Sequence, residues 1–201
     1  SPAAQKKDSV KKVVIEDGVT NIVDFAFYNC SSLTDITIPD SVTSIGDYAF
    51  YGTPWLTNKR QENDSLVIVN GILIDGTACS GKVTIPDGVT SIGNYAFMSC
   101  DGLTSITIPS SVTSIGVGVF DDCTALKEVL LENGSKLTIG NLGVDASKIR
   151  TYWNEDNLTW TLTADGTMTI SGEGEMKNYS IGDSPAAQKK DSVKKVVIED
   201  G

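Results

Sequence analysis

The sequence predicts a β-rich repeat solenoid, in which short units stack along one axis and share an apolar core. Three observations predict this fold. A strand-like stretch recurs with a 23-residue period, as the step from Val13 to Ile36 shows, and Ile36-Thr37-Ile38 is its clearest copy. A phenylalanine follows each copy at a fixed distance. A leucine then follows each phenylalanine at a second fixed distance, as Leu56 follows Phe50. Near-identical copies at one period do not arise from composition alone, so the repeat decides the fold class.

The strand of each unit is predicted by alternation. In Ile36-Thr37-Ile38 the apolar residues alternate with threonine, which is the period-two pattern of a strand with one buried face. Pro39 ends this strand, because proline cannot donate a hydrogen bond to the ladder. The same segment appears at residues 13–22, 36–45, 83–92 and 106–115. We therefore expect short strands on one face of a right-handed solenoid.

The second half of each unit is predicted to be a short return limb. Val42, Ile45 and Ala49 recur at three- and four-residue spacing, which favours a short α-helical or 3₁₀ limb. A single unit cannot bury its own apolar side, so successive units must stack into continuous apolar columns. One buried spine is expected to contain the four repeated phenylalanines, Phe27, Phe50, Phe97 and Phe120.

A divergent rung interrupts the repeat. Ile36 and Val83 are 47 residues apart, which is two periods and one further residue. Within this gap Asn70-Gly71 lies between two apolar runs, and this dipeptide is a strong signal for a tight β-hairpin. We therefore predict a hairpin inserted into the solenoid at about residues 65–76.

A different module follows the repeats, which stop after Leu142. Residues 160–170 alternate apolar residues with threonine around Asp165-Gly166, and this pattern predicts a second hairpin. Glycine and proline between residues 172 and 190 indicate a loop. The predicted organisation has three parts: a repeat solenoid at 1–142, a Trp-containing β-hairpin module and loop at 143–183, and the start of a further unit at 184–201.

The third part is a copy of the start of the chain. Residues 184–201 repeat residues 1–18 without a change, and we infer a larger unit of 183 residues, of which this sequence contains one full copy and the start of the next. A natural tandem array and a deliberate repetition of the first segment both explain the copy. The strand expected at Val196–Ile198 has no return limb after it in this sequence. We expect it to stay beside the hairpin at 160–170, or to recruit another molecule head to tail.

The repeat also resembles a known family. Its pattern, Ile-x-Ile-Pro-x-x-Val-Thr-x-Ile-Gly-x-x-Ala-Phe-x-x-Cys-x-x-Leu, is similar to the BspA-type (Treponema pallidum-type) leucine-rich repeat over residues 9–139. The segment at 66–75 resembles the inserted strand pair of that family, and the Trp-containing hairpin resembles a module that often precedes its repeats. The resemblance implies a secreted or cell-surface bacterial protein that binds a protein or glycan on a host or a neighbouring cell.

Composition excludes several functions. The net charge of −10 and a pI of about 4.4 disfavour nucleic-acid binding, which needs clustered basic residues. The chain contains no histidine, so the usual general base and the commonest metal ligand are absent. No apolar run reaches the length that spans a bilayer. We expect no enzyme activity and no cofactor.

The remaining reactive residue types follow the repeat. Cys30, Cys100 and Cys123 share one position of the unit, while Cys79 follows the inserted hairpin. The sequence has no Cys-x-x-Cys pair, so buried, reduced and inert thiols are predicted in place of a metal site. Aspartate recurs after the strands as a turn residue. No catalytic residue and no metal ligand are therefore predicted.

Two surfaces are candidates for ligand binding. Solenoids bind partners along their strand face. The candidate residues there are Lys12, Asp35, Thr37, Lys82, Thr84, Ser105, Thr107 and Glu128. Their alternative interpretation is an ordinary solvated sheet face. The second candidate is an aromatic column formed by Phe25, Tyr48 and Tyr95, next to Tyr28, Tyr51 and Met98. Its alternative interpretation is half-buried packing on the outside of the solenoid.

The leading functional hypothesis is a non-catalytic cell-surface binding or adhesion module that recognises a protein or glycan ligand. The alternative is a structural spacer, in which tandem 183-residue units project another domain from the cell. The two hypotheses differ in the surface that they require. An adhesin needs an exposed apolar or aromatic patch, whereas a spacer does not.

Overall fold

The computed structural model describes residues 8–62 and 65–199, so residues 1–7 and 200–201 of the two duplicated segments lie outside the described residues. Most of the regular structure is short β-strands. In chain order the elements are β1 (Lys12–Val14), β2 (Asn21–Ile22), β3 (Asp35–Thr37), β4 (Ser44–Ile45), α1 (Pro54–Glu62), β5 (Val67–Val69), β6 (Ile72–Asp75), β7 (Gly81–Thr84), β8 (Ser91–Ile92), β9 (Leu103–Ile108), β10 (Ser114–Ile115), β11 (Glu128–Glu132), β12 (Ile149–Glu155), β13 (Leu158–Thr163), β14 (Thr167–Gly172), α2 (Pro185–Gln188) and β15 (Lys195–Ile198). Two 3₁₀ turns lie at Ile139–Asn141 and Ala146–Lys148.

The predicted repeat solenoid is confirmed, and its strand face contains parallel ladders. Strands β7, β9, β11 and β12 lie side by side and parallel, while β1 and β3 form a separate parallel pair. Equivalent positions of the repeat face one another, as Val83, Ile106 and Val129 do. The inward isoleucines of β9, Ile106 and Ile108, are fully buried, so alternation places the core as expected.

The return limbs differ from the helical or 3₁₀ limbs that the spacing predicts. Each regular limb begins with a two-residue strand, and these short strands form a second set of parallel ladders. The limb then continues as isolated turns, in which Ala26 N–H donates to the Val23 carbonyl at 3.2 Å. A helix cannot continue here because Phe25 and Asn29 both have a φ of 54°, in the left-handed region.

The divergent rung combines α1 with the hairpin of β5 and β6. Asn70 and Gly71 occupy the turn with φ values of 49° and 75°, as a two-residue hairpin of this kind requires. The Asn70 amide also donates to the carbonyls of Pro39 and Val42 at 2.8 and 2.9 Å, which fixes the hairpin on the preceding rung. Helix α1 takes the place of a strand in this rung. In the described part of the chain, the strand face is therefore divided into two sheets, one with β1 and β3 and the other with β7, β9 and β11.

The phenylalanines form two stacked pairs, and the expectation of one continuous spine is wrong. The rings of Phe27 and Phe50 lie 5.7 Å apart, and those of Phe97 and Phe120 lie at the same distance. Gly76 occupies the equivalent position in the divergent rung. A Cβ there would lie 2.2 Å from the Phe97 ring, so Phe97 fills the space of the missing side chain.

The module after the repeats extends the same sheet. Strand β12, which the sequence analysis did not predict, pairs in parallel with β11 and then antiparallel with β13. The turn at Asp165-Gly166 joins β13 to β14, and the inward side chains of this pair form a separate apolar cluster of Trp160, Leu162, Met168 and Ile170. Strand β15 pairs in parallel with β14 at the edge of the seven-stranded sheet.

One short helix lies within the predicted loop at residues 172–190. Helix α2 begins after Ser184, whose hydroxyl accepts a hydrogen bond from the Ala187 N–H at 3.2 Å. Pro185 occupies the first turn, where its missing N–H has no cost. Local capping therefore creates a helix that glycine and proline content alone does not indicate.

Candidate functional site

The aromatic column lies on the turns that follow the second ladder. Phe25, Tyr48 and Tyr95 have φ values of 54°, 52° and 58°, and the equivalent residue of the next rung is Gly118, with a φ of 60°. A bulky residue in the left-handed region is strained by about 1–3 kcal/mol. Glycine would relieve this strain at every position of the column. Three aromatic residues are held there nonetheless, of which Phe25 is exposed and Tyr48 and Tyr95 are half-buried.

The rings of the column stack. Phe25 and Tyr48 lie 5.8 Å apart between ring centroids, and Tyr48 and Tyr95 lie 5.5 Å apart. Tyr48 and Tyr95 belong to the rungs on either side of the divergent rung, and their rings stack directly although that rung lies between them in the chain. The Asn94 amide reaches across the same gap and donates to the Asp47 carboxylate at 2.8 Å. The structure therefore brings together the three residues that the sequence analysis grouped.

A second row lies beside the column. Tyr28 stacks on Tyr51 at 5.4 Å, and the two rows meet through edge-to-face contacts such as Phe25 with Tyr28 at 5.6 Å. The Tyr48 hydroxyl contacts the Met98 sulfur at 3.5 Å. We call these six side chains the aromatic platform: Phe25, Tyr28, Tyr48, Tyr51, Tyr95 and Met98. Phe25 is 51% exposed and Tyr51 is 48% exposed, so much of this apolar surface faces solvent.

A cleft of about 600 Å³ opens between the platform and the divergent rung. The Arg60 guanidinium lies in its lining and donates to both oxygens of the Asp75 carboxylate, at 2.8 and 2.6 Å. Thr77 also donates to Asp75, so this buried carboxylate has a full set of donors. The sequence analysis missed Arg60 and Asp75, because both lie in the one rung that does not follow the repeat.

The electrostatics of the cleft favour a neutral Tyr48. Burial raises the pKa of Tyr48 above its ordinary value of 10.0, and the neighbouring Tyr95 and Asp47 raise it further. The hydrogen bonds to Asp75 raise the pKa of Arg60, although burial opposes this shift. At neutral pH the site therefore presents apolar ring faces, tyrosine hydroxyls and a charge-compensated ion pair.

The strand-face candidates form two groups on separate sheets. Lys12 pairs with Asp35 at 2.8 Å, and their side chains are 62% and 54% exposed. Thr37 is also exposed in this group. The second group, on β7, β9 and β11, contains Lys82, Thr84, Ser105, Thr107 and Glu128. Strands β1 and β3 belong to a different sheet from β7, β9 and β11, so the structure does not place all eight residues on one sheet.

Ser105 requires a correction, because it was predicted on the exposed face and is only 7% exposed. It lies on a central strand with Lys82 and Glu128 directly opposite on the two neighbouring strands. The Ser105 hydroxyl lies 3.4 Å from the Glu128 carboxylate, which also forms an ion pair with Arg150 at 2.6 Å. Long neighbouring side chains cover a small residue at the centre of a sheet, so Ser105 offers a ligand little surface.

The cysteines form a buried internal column. The Cys123 thiol donates to the Phe97 carbonyl at 3.0 Å, and the Cys100 thiol donates to the Cys79 carbonyl at 3.1 Å. Cys79, which the sequence analysis left outside the column, takes the equivalent position of the divergent rung. All four cysteines are buried thiols, and burial raises the pKa of both Cys100 and Cys123.

Three solved structures of bacterial leucine-rich-repeat proteins are similar to the chain. A leucine-rich cell surface protein from Faecalibacterium prausnitzii A2-165 is 28% identical over 74% of this chain and 45% of its own, with a TM-score of 0.38. A leucine-rich repeat protein from Bacteroides ovatus is 27% identical over 72% of this chain and 30% of its own, with a TM-score of 0.35. A third, from Eubacterium ventriosum, is 24% identical over 83% and 40%, with a TM-score of 0.41. The chain therefore spans less than half the length of each.

The repeats also match a family model. No curated protein matches the chain. Within residues 8–62 and 65–199, no helix has the length and apolar character needed to cross a membrane. The model of the BspA type leucine-rich repeat region matches six copies, over residues 2–72 and 75–159, which is more than half of the sequence. The chain therefore belongs to the BspA-type leucine-rich-repeat family.

Proposed function

We propose that this chain is a non-catalytic binding module of a cell-surface protein, and that the aromatic platform with its cleft recognises a protein or glycan ligand. The observation that carries the proposal is the platform itself. Five aromatic rings and Met98 stand together at the surface, and three of the rings, those of Phe25, Tyr48 and Tyr95, are on left-handed backbone positions where aromatic residues are strained. Strain that a fold could relieve with glycine points to a role outside folding.

The chemistry of the platform suits both ligand classes. Ligand sites are generally concave and mostly apolar, with a few polar groups that fix orientation. Here the apolar part is the set of ring faces, and the polar part includes the hydroxyls of Tyr28, Tyr48 and Tyr51 and the Arg60–Asp75 pair at the cleft. Aromatic rings supply a large contact area at a small cost in side-chain entropy. A sugar ring or an apolar peptide side chain would stack on the exposed face of Phe25 or Tyr51.

A structural spacer is the second candidate function, and a different observation favours it. A tandem array of 183-residue units would explain the copy of residues 1–18 at residues 184–201, and such arrays extend a chain over long distances. A spacer does not need an exposed aromatic surface, however, and the half-exposed rings of Phe25 and Tyr51 are therefore unexplained by that role.

The proposal is tested by comparing the wild-type chain with a platform variant, Phe25→Gly with Tyr48→Gly. Glycine removes both rings and also suits the left-handed backbone, so the fold is expected to persist. Binding is measured on a glycan microarray and on an immobilised peptide library. We expect the wild-type chain to bind members of one library and the platform variant to lose at least about tenfold in affinity, the effect of about 1.4 kcal/mol.

A strand-face variant provides the control. Lys82→Ser with Thr84→Ser changes exposed residues of β7 and leaves the platform unchanged. We expect it to bind as the wild type does. Loss of binding in this variant, with binding retained in the platform variant, would move the site to the strand face. An absence of wild-type binding in both libraries would favour the spacer.

A further inference from the structure

We propose that the end of the molecule formed by β14 is a socket for residues 1–16 of a second copy, and that residues 184–199 of the same chain occupy this socket. The socket consists of the open edge of β14, the Gly166 carbonyl and the apolar cluster of Trp160, Leu162, Met168 and Ile170. The proposal does not depend on the ligand of the aromatic platform. It identifies a second interaction surface and its partner.

The contacts of residues 184–199 show how the socket holds its segment. Val196 and Ile198 lie opposite Met168 and Ile170 in the parallel pairing of β15 with β14. The Gly166 carbonyl accepts from Lys194 N–H at 2.8 Å, and Glu199 N–H donates to the Ile170 carbonyl at 3.0 Å. Ahead of the strand, Pro185 is buried, and Ala186 and Val193 pack against the apolar cluster.

The approach of this segment requires glycine at position 166. Gly166 has a φ of 91°, and a Cβ on it would lie 2.6 Å from the Ser192 carbonyl oxygen. Only a residue without a side chain allows the two backbones to come this close. The turn of the hairpin is therefore shaped to receive the segment as well as to reverse the chain.

The first copy of the segment pairs with a neighbouring strand along the opposite edge of its own strand. In β1 the Lys11 carbonyl accepts from Thr34 and Asp35 N–H groups at 3.0 and 3.2 Å, and Ile15 N–H donates to the Thr37 carbonyl at 3.0 Å. The bonds that hold the second copy to β14 come from the N–H groups of Lys194, Lys195 and Glu199. The equivalent groups in the first copy are those of Lys11, Lys12 and Glu16. The two sets of bonds share no backbone atom, so one segment can pair along both edges at once.

The socket also reproduces the geometry of a preceding rung. The Gly166 carbonyl accepts from two consecutive N–H groups, Lys194 and Lys195, at 2.8 and 3.3 Å. In the same way the Lys11 carbonyl of the first rung accepts from Thr34 and Asp35. Strand β14 therefore pairs with the segment in the same way as each rung pairs with the next rung. Placing residues 1–16 of a second copy on β14 would continue the parallel ladder from one copy into β3 of the next.

The two copies of the segment differ in exposure because they pair with different strands. Val196 and Ile198 are 51% and 67% exposed, whereas Met168 and Ile170 beside them are buried. The equivalent residues of the first copy, Val13 and Ile15, are half-buried because β3 lies next to them. Each copy thus carries a socket at one end and a matching segment at the other. Such a heterologous contact builds head-to-tail assemblies, and occupation of the socket by residues 184–199 prevents it.

The test uses matched proline variants of the full chain. Val197→Pro removes an N–H from the edge of β15 that pairs with β14, so it should vacate the socket. Val14→Pro is the same substitution in the first copy. Val14 lies between the residues that bond to β3, so its N–H points to the open edge, where proline is tolerated. It should leave β1 paired with β3 while preventing residues 1–16 from entering a socket.

The oligomeric state is measured by sedimentation velocity over a concentration series. We expect the wild-type chain, Val14→Pro and the double variant to remain monomers. Val197→Pro should form head-to-tail assemblies that grow with concentration. Hydrogen exchange follows residues 193–199, and the buried Trp160 reports by fluorescence that the hairpin is folded. Monomeric Val197→Pro with a folded hairpin would overturn the proposal, as would protection of residues 193–199 despite the proline.

A peptide provides the second measurement. A peptide with the sequence of residues 1–18 is titrated into the double variant and into the wild-type chain. We expect it to bind the double variant, whose socket is vacant, at least about tenfold more tightly than the wild type. The same peptide with Val14→Pro should not bind. Equal binding of the two peptides would show that strand pairing does not hold the segment, and would also overturn the proposal.

Discussion

Glu155 is a buried carboxylate, 5% exposed, that joins β12 to the segment after β14. It accepts hydrogen bonds from the Trp160 indole and the Lys177 N–H, both at 2.8 Å, and from the Tyr179 hydroxyl. Burial acts to raise the pKa of Glu155, but the hydrogen bonds from Tyr179, Lys177 and Trp160 outweigh it, so the pKa falls below its ordinary value. Burial and the bond to Glu155 raise the pKa of Tyr179 to about 12.

Glu155→Gln is expected to lower the free energy of unfolding by about 1–3 kcal/mol at pH 7, because hydrogen bonds to a charged group are lost. Urea denaturation measures this loss, with the exposed Glu173→Gln as the control. Since the pKa is lower in the folded state, the stabilisation by ionised Glu155 is complete above the ordinary value of 4.5. It is lost as the pH falls through the folded-state pKa, so the two proteins should converge in acid. An equal difference from pH 7 to pH 3 would contradict this role.

The thiols of Cys100 and Cys123 are expected to be inert in the native protein. Both are buried, both have a raised pKa, and both donate to backbone carbonyls. Reaction with Ellman's reagent should be slow in buffer and complete in denaturant, because the reactive thiolate is scarce and covered. Fast labelling of either thiol in buffer would show that the column opens under native conditions.

The sequence could predict the positions of residues that recur at the same place in each repeat. Phe25, Tyr48 and Tyr95 share one position of the unit, so the sequence predicts that they lie in one column. Arg60 and Asp75 lie in the divergent rung, where no second copy exists for comparison, so their pairing could not be predicted. The burial of Ser105 depends on the conformations of long side chains on two neighbouring strands, which a repeat pattern does not encode.

At the level of elements, the strands were predictable and the return limbs were not. Alternation and a following proline determine β3 and β9 locally. The return limb has the apolar spacing of a helix, but residues such as Phe25 and Asn29 take a left-handed conformation that ends each turn. Helix α1 did have a local signal. Thr53 accepts a hydrogen bond from Leu56 N–H at 3.2 Å, and Pro54 occupies the first turn, as at many helix starts.

The two phenylalanine pairs give a prediction about packing. Phe97 is fully buried, and Phe97→Ala is expected to lower the free energy of unfolding by about 3–5 kcal/mol, as large truncations in a core do. Phe27 is half-buried in the first described rung, so Phe27→Ala should cost clearly less. Urea denaturation of both variants measures the difference. Equal losses would mean that the burial of these rings does not control stability.

At the scale of the whole molecule, the repeated unit was enough to predict the solenoid fold. It was not enough to predict how residues 184–199 pair with β14. Stacking is a contact between neighbouring rungs, so the repeat predicts it directly. The place of residues 184–199 depends on β14, which lies outside the repeat. The identity of the two segments indicated that they play equivalent roles. Only the structure shows that the first copy pairs with the strand that follows it, β3, whereas the second copy pairs with the strand that precedes it, β14.

Gly76 has a consequence for how the molecule loses its structure. Because the phenylalanine column is interrupted there, the repeats contain two apolar clusters, one around Phe50 and Trp55 and the other around Phe97. Cooperativity in a linear array depends on the coupling between neighbours, and weak coupling allows parts to melt separately. We therefore expect unfolding in more than one step.

Trp55 reports on the first cluster, whereas Trp160 reports on the hairpin module. Fluorescence of Trp55→Phe, and of Trp153→Phe combined with Trp160→Phe, should give transitions at different urea concentrations. Coincident transitions would show that the interruption does not divide the molecule into separate cooperative units.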